Sequence, residues 1–276
     1  WHLKLGQKNV PVAWAKKRYQ SFFEQISEQE KQCNMHIIGG DLFDRLPTME
    51  ELELYFSFIR GVTIPTLIYD GNHEATKKNK TFFSQLKQVS RDINPLIHVV
   101  DFSYVDTDKG FGVLPYADLH RKDSIETFNT TMPLFTHVRG EIPPHVKPEV
   151  DLDRLEEFPV VFAGDLHAHS NTQRNIVYPG SPMTTSFHRN EVETGYLLIN
   201  DSDWSWMWDK FYLPQLLRKT VTSPEEMIAS EYHHTIYELE GDIQDLSKVK
   251  NTELLDKNEN KWEAVCKAYR DRGLSD

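Results

Sequence analysis

His2, Asp41, Asn72, His73, His137, His167 and His169 share one chemistry although they are scattered along the chain. Imidazole, carboxylate and carboxamide donors suit Mn, Fe or Zn better than Ca or Mg. Asp41 lies in Gly39-Gly40-Asp41-Leu42-Phe43-Asp44, and Asn72 lies in Asp70-Gly71-Asn72-His73-Glu74. Each segment follows a β-rich apolar run. Two ions about 3.5–4 Å apart need a ligand shared between them, usually a carboxylate, and Asp41 is the natural bridge. Such a pair activates water and clamps phosphoryl oxygens. His73, beside Asn72, is placed to protonate a leaving alkoxide. The combination points to a two-metal phosphoesterase.

The elements that must position these residues can be read from periodicity. Tyr19, Phe22, Phe23 and Ile26 recur at helical spacing within a helix expected over 7–32. A strand over 35–39, a helix from Pro47 to about Arg60 and a strand over 63–69 form a βαβ unit with parallel pairing. A helix over 80–89 and a strand over 96–100 follow. Further strands are expected over 112–115, 133–138, 159–163, 175–178 and 196–199. So many strands exceed one parallel sheet, and two packed sheets with helices outside are expected. In open α/β sheets ligands bind beyond the C-terminal strand ends. Those ends offer Asp41, Asn72, His137 and the His167/His169 pair, and His2 would end a first strand preceding Trp1. An apolar strand is therefore expected before Trp1.

The composition bounds the class. The 276 residues are 39% hydrophobic and 26% charged, as in an ordinary globular protein with no disulfide requirement. No apolar run reaches the length of a membrane span, and no secretory signal is expected. Cys33 and Cys266 show no zinc spacing and read as idle thiols of a reducing cytoplasm. The net charge of −11 counts against a protein that grips DNA with its own surface, because phosphate contacts come from Lys and Arg. It leaves open an enzyme that meets phosphate through bound cations.

Other features have plainer readings. Trp204, Trp206 and Trp208 alternate as on one strand face; a buried sheet face is favoured over base stacking. His233-His234 reads as structural, and 149–157 as a solvated loop and helix. Lys77-Lys78-Asn79-Lys80 is a solvated loop that could touch a phosphate backbone. After about Pro214 the chain becomes more polar, with a strand over 234–239 and a helix over 260–272. Domains of 1–213 and 214–276 are expected.

The ordered series of His2, Gly40-Asp41-Leu42-Phe43-Asp44, Gly71-Asn72-His73-Glu74, His137, His167-Ala168-His169 and Tyr178-Pro179-Gly180-Ser181-Pro182 resembles the calcineurin-like metallophosphoesterases. Within them it is most similar to the SbcD-type recombination nucleases, especially bacteriophage versions. The likeness covers residues 1 to about 200. It implies a four-layer α/β/β/α sandwich with a small α/β capping domain that recognises DNA. It also implies two Mn²⁺, with Mg²⁺ as a substitute. Asp41 would bridge them, His2 and the later His of the last motif would hold one ion, and Asn72, His137 and the earlier His the other. His73 would be the catalytic histidine, and Asp44 would support a ligand. No DNA-binding residue is singled out. The family's first motif is Asp-x-His, so a ligand Asp is expected immediately before Trp1. The last motif also departs from the usual Gly-His-x-His. Either Asp165 replaces the first His and His167 is the second, or His167 and His169 are the ligands in a longer loop. The latter keeps both imidazoles and is favoured.

The resemblance further implies an SMC-like ATPase partner, a homodimer, DNA as substrate and no membrane, in the cytoplasm or the host cytoplasm if phage-encoded. The expected activity is a double-strand exonuclease and single-strand endonuclease in DNA recombination, repair or replication. A phosphatase or small-molecule phosphodiesterase of the same superfamily is the alternative. Phosphoprotein phosphatases carry Gly after the Arg of Gly-Asp-x-x-Asp-Arg and an Arg before Gly-Asn-His-Glu. Here those positions are Leu46 and Asp70, and an acidic Asp70 would repel a phosphate dianion. A non-catalytic scaffold is disfavoured because His73 and the ligand candidates are retained.

Overall fold

The computed structural model describes residues 1–77, 80–240 and 264–266. The chain opens with α1 (Val12–Glu30), β1 (His36–Gly39), α2 (Met49–Gly61) and β2 (Thr66–Tyr69). A small hairpin, β3 (Ala75–Lys77) and β4 (Lys80–Thr81), precedes α3 (Phe83–Ile93) and β5 (Ile97–Val100). Next come β6 (Tyr104–Asp106), β7 (Phe111–Leu114), the single turn α4 (Tyr116–Leu119), β8 (Leu134–His137), β9 (Val161–Gly164) and β10 (Ile176–Val177). The hairpin of β11 (Gly195–Ile199) and β12 (Trp206–Lys210) is followed by β13 (Leu216–Val221), β14 (His234–Leu239) and β15 (Ala264–Cys266).

The elements gather into two compact units. The first takes residues 1–4, 21–182 and 193–211; the second takes 5–20, 183–192 and the described residues from 212 onward. The first unit holds a parallel sheet in the order β1-β2-β5 and a mixed sheet in the order β10-β9-β8-β7-β6, where only β6 is antiparallel. The second holds a parallel sheet in the order β13-β14-β15.

Side-chain alternation explains why β7, β9 and β10 of the mixed sheet are apolar along their length. Val113, Phe135, Phe162 and Val177 point to one face, where they pack with Leu67, Tyr69 and Val100 of the other sheet. Their neighbours Leu114, Leu134, Val161 and Ile176 point to the opposite face and pack with Leu119, Phe128, Leu152 and Leu155. A strand covered on both faces must be apolar at successive positions. Helix α2 begins at Thr48, whose hydroxyl accepts from Glu51 N while the Glu51 carboxylate accepts from Thr48 N, a reciprocal cap.

The βαβ unit and the core strands lie where periodicity puts them, within one to three residues. Several expectations need correction. The helix expected from Lys80 starts at Phe83, because Lys80 and Thr81 pair in a hairpin. Within the expected helix over 260–272, Ala264–Cys266 is instead a strand parallel to β14; the rest of that segment, like Lys78 and Asn79, lies outside the described residues. The three tryptophans do not share a buried strand face. Trp204 precedes β12 with a positive φ of 61° and packs against Phe111 and Phe135, whereas Trp206 is 39% exposed. The Glu149 side chain is not solvated: it accepts from Tyr116 Oη at 2.7 Å and lies 3.1 Å from His120 Nε2. Among the described residues, no helix is long and apolar enough to cross a membrane.

Candidate metal centre

Strands β1, β2, β8 and β9 end on the same side of their sheets, and the loops that follow converge on Asp41. His137 Nε2 lies 3.4 Å from Asp41 Oδ2, and His2 Nε2 lies 3.5 Å from the same oxygen. Asn72 Oδ1 is 3.2 Å and Asp165 Oδ1 3.7 Å from His137 Nε2. The His73 ring brings Nε2 to 4.0 Å from Asp41 Oδ2. The His167 ring sits 4.7 Å from that of His2. Donor atoms of His2, Asp41 and His73 lie within 4.8 Å of one another.

This crowding is possible because three glycines line the approach. A Cβ on Gly71 would overlap Asp41 Oδ1, one on Gly40 would overlap the His137 ring, and one on Gly164 would overlap Gly39 O. Gly40 also adopts φ +81°, followed by Asp41 at +49°. The chain therefore turns sharply off β1 and drives the carboxylate back over the strand ends. His2 (φ 53°) and Asp165 (φ 97°) share the left-handed region, which non-glycine residues occupy at a cost of about 1–3 kcal/mol each. Strain of this kind gathers at functional sites, and here it marks three of the donors.

The tautomers suit ligation. His137 Nδ1 donates to Gly39 O at 3.1 Å, which leaves Nε2 as the ring atom facing Asp41 and Asn72. Burial pushes the His2 imidazole down to about 2, so it stays neutral and offers a lone pair. Burial also disfavours charge on His137, but the adjoining Asp41 carboxylate overrides this and raises it to about 9. Burial opposes ionisation of Asp41 too, yet His137, His2 and His73 together hold it well below the usual carboxylate range. The imidazoles of His2, His73, His137 and His167, the carboxylates of Asp41 and Asp165 and the carboxamide of Asn72 form a donor set that fits a divalent transition ion.

Asp44 stands behind the donors: its carboxylate pairs with Lys4 Nζ at 2.7 Å and lies 3.8 Å from His2 Nδ1. Its carbonyl accepts from His73 Nδ1 at 2.5 Å. His169 is turned elsewhere. Its Nδ1 donates to Tyr178 O at 2.6 Å and its ring stacks on Trp208. Asp165, by contrast, faces His137.

Glu74 carries a role that its sequence position does not reveal. It is fully buried, and its carboxylate accepts from Asp41 N (3.0 Å), Phe43 N (2.8 Å) and Gly71 N (2.8 Å). It thus ties the β1 and β2 loops together, and burial with the nearby Asp41 charge pushes its carboxyl up to about 7. Asp70 is likewise fully buried and accepts from Ala117 N at 3.3 Å. It cannot meet a phosphate dianion, so its acidity says nothing about phosphatase chemistry. The only local signal for either residue is its place beside the Gly-Asn-His turn.

A carboxylate ringed by imidazoles and a carboxamide at parallel strand ends has the make-up of a divalent-metal phosphoesterase centre. No protein-family model matches the chain. It is 38% identical over 273 residues to "Probable exonuclease subunit 1" of Escherichia phage T5, covering 94% of this chain and 82% of that protein. It is 28% identical over 208 residues to "Putative phosphoesterase 244L" of Invertebrate iridescent virus 6, covering 66% and 70% respectively. The crystal structure of TT1561 from Thermus thermophilus aligns over 70% of this chain and 92% of its own, with 12% identity and a TM-score of 0.43, too loose a likeness to carry an argument. The chain belongs to the family of the phage T5 exonuclease subunit 1.

Proposed function

We propose that this chain is the nuclease subunit of an SbcD-type recombination complex, a Mn²⁺-dependent phosphodiesterase that cuts DNA. The family supports a phosphodiesterase of the exonuclease type. The observation that carries the reading is the convergence of donors from separate strand ends on Asp41. Double-strand exonuclease and single-strand endonuclease activity, in recombination, repair or replication in the host cytoplasm, go with that assignment. So do a homodimer and an SMC-like ATPase partner, which would bring an acidic chain to DNA. A four-layer sandwich over residues 1–213, capped by residues 214–276 that read DNA, completes the reading.

Two divalent cations would be held with Asp41 between them. A cation pair supplies an activated water nucleophile and positive charge for the phosphoryl oxygens. The chain's own residues do the rest. Asp44 O fixes His73 with Nδ1 as donor, so any proton exchanged with the leaving oxygen passes through Nε2. Glu74 keeps the two ligand loops in register.

For the last motif the ligands we propose are Asp165 and His167, with His169 outside the centre. The expected result is that Asp165→Ala lowers bound Mn²⁺ per chain while His169→Ala leaves it at the wild-type value. Metal counting on purified variants reads this directly, and loss on His169→Ala with none on Asp165→Ala would reverse the assignment.

The activity itself is tested with the full-length protein, linear duplex DNA and Mn²⁺, with and without a candidate ATPase. Cleavage that stops on chelation is expected. Hydrolysis of a phosphopeptide or cyclic nucleotide without any of DNA would overturn the nuclease reading.

A further inference from the structure

The second histidine of His167-Ala168-His169 lies outside the proposed ligand set, yet it is held firmly. Its Nδ1–H is tied to Tyr178 O and its ring lies face to face with Trp208, with centroids 5.4 Å apart and planes 14° apart. Trp208 is itself pinned, its Nε1–H donating to Pro179 O at 2.9 Å. Trp206, two positions earlier on β12 and so on the same face, meets the His169 ring edge-on at 5.5 Å and 79°. The result is a braced aromatic cluster whose outermost ring, Trp206, is 39% exposed.

Its position gives it a use. His169 follows His167 by two residues, a Cα separation of at most about 7 Å, and His167 borders the metal centre. A cavity of about 960 Å³ has both groups in its wall: Asp41, His137, Asp165 and His167 on one hand, Trp206 on the other. A strand whose backbone lies at the centre therefore shares one cavity with the exposed Trp206 ring. The chain carries a net charge of −11, which disfavours holding a strand by charge alone. A π-face holds any base, without charge and without sequence preference.

We propose that Trp206, braced by His169 and Trp208, is a stacking platform for a nucleobase of the DNA strand entering the metal centre. The inference rests on the nuclease reading above and adds a binding subsite to it.

The test is binding of a fluorescein-labelled oligo(dT) to the full chain, read by anisotropy without turnover, for wild type, Trp206→Ala and Trp206→Phe. Loss of one stacked base weakens affinity about tenfold, so the Ala variant should bind about tenfold less tightly and the Phe variant should recover most of the loss. The slope of log affinity against log salt should stay at the wild-type value, because stacking releases no counterions. Wild-type affinity in the Ala variant, a Phe variant as weak as Ala, or a slope reduced by about one phosphate contact would each overturn the proposal. Binding that behaves as expected on a wild-type protein that cuts no DNA would overturn the nuclease reading alone.

Discussion

Replacing His73 with Ala is expected to slow DNA cleavage about 10²–10⁴-fold, the usual loss when a positioned acid or base is removed. Metal content should stay near the wild-type value. The geometry separates the two effects. The imidazole is fixed through Nδ1 by Asp44 O, and its Nε2 stands 4.0 Å from Asp41 Oδ2, on the exposed side of the centre. What Asp41 receives from residue 73 at short range is a backbone N–H at 3.1 Å, which Ala retains. Single-turnover cleavage and bound Mn²⁺, measured on the same preparation, check this. A variant that loses metal in proportion to activity would make His73 a ligand, as its closeness to His2 and Asp41 also allows.

Glu74→Ala should strongly destabilise the first unit. Its carboxylate is the acceptor for three backbone N–H groups, on Asp41, Phe43 and Gly71. Leaving a buried donor unsatisfied costs about 1–3 kcal/mol, so three orphaned donors together with the cavity lose several kcal/mol. Domains have only about 5–15 kcal/mol in hand. At about 2–4 °C per kcal/mol for a unit of this size, the melting temperature should fall by roughly 10 °C or more. Metal binding should fall with it, since Asp41 and Gly71 belong to the loops that Glu74 joins. Glu74→Gln keeps one carbonyl acceptor and should fall between the two. Thermal melting with and without Mn²⁺ reads both effects, and a Glu74→Ala protein that melts like wild type would refute the role.

Much of the site was legible along the chain because ligand chemistry is local. Asp41, Asn72 and His137 each sit where an apolar run stops, and a strand end in an α/β sheet faces the ligand side whatever the rest of the fold does. The core strands were legible for the same kind of reason, since a strand buried on both faces is apolar at most positions. The hairpin at Lys80 and the strand at Ala264–Cys266 were not, because short segments take their state from what pairs with them rather than from their own composition.

The sequence by itself determined the order of the candidate donors Asp41, Asn72 and His137 and the strand ends that carry them. Only the tertiary structure decided which of Asp165 and His169 faces the centre. Both follow β9 closely enough to lie near its end, but which way each side chain turns depends on partners far away in the chain. Asp165 turns in towards His137, and His169 turns out to Tyr178 and Trp208. Glu74 is the same case: its three backbone donors belong to two loops that the fold, and nothing in local spacing, brings to one carboxylate.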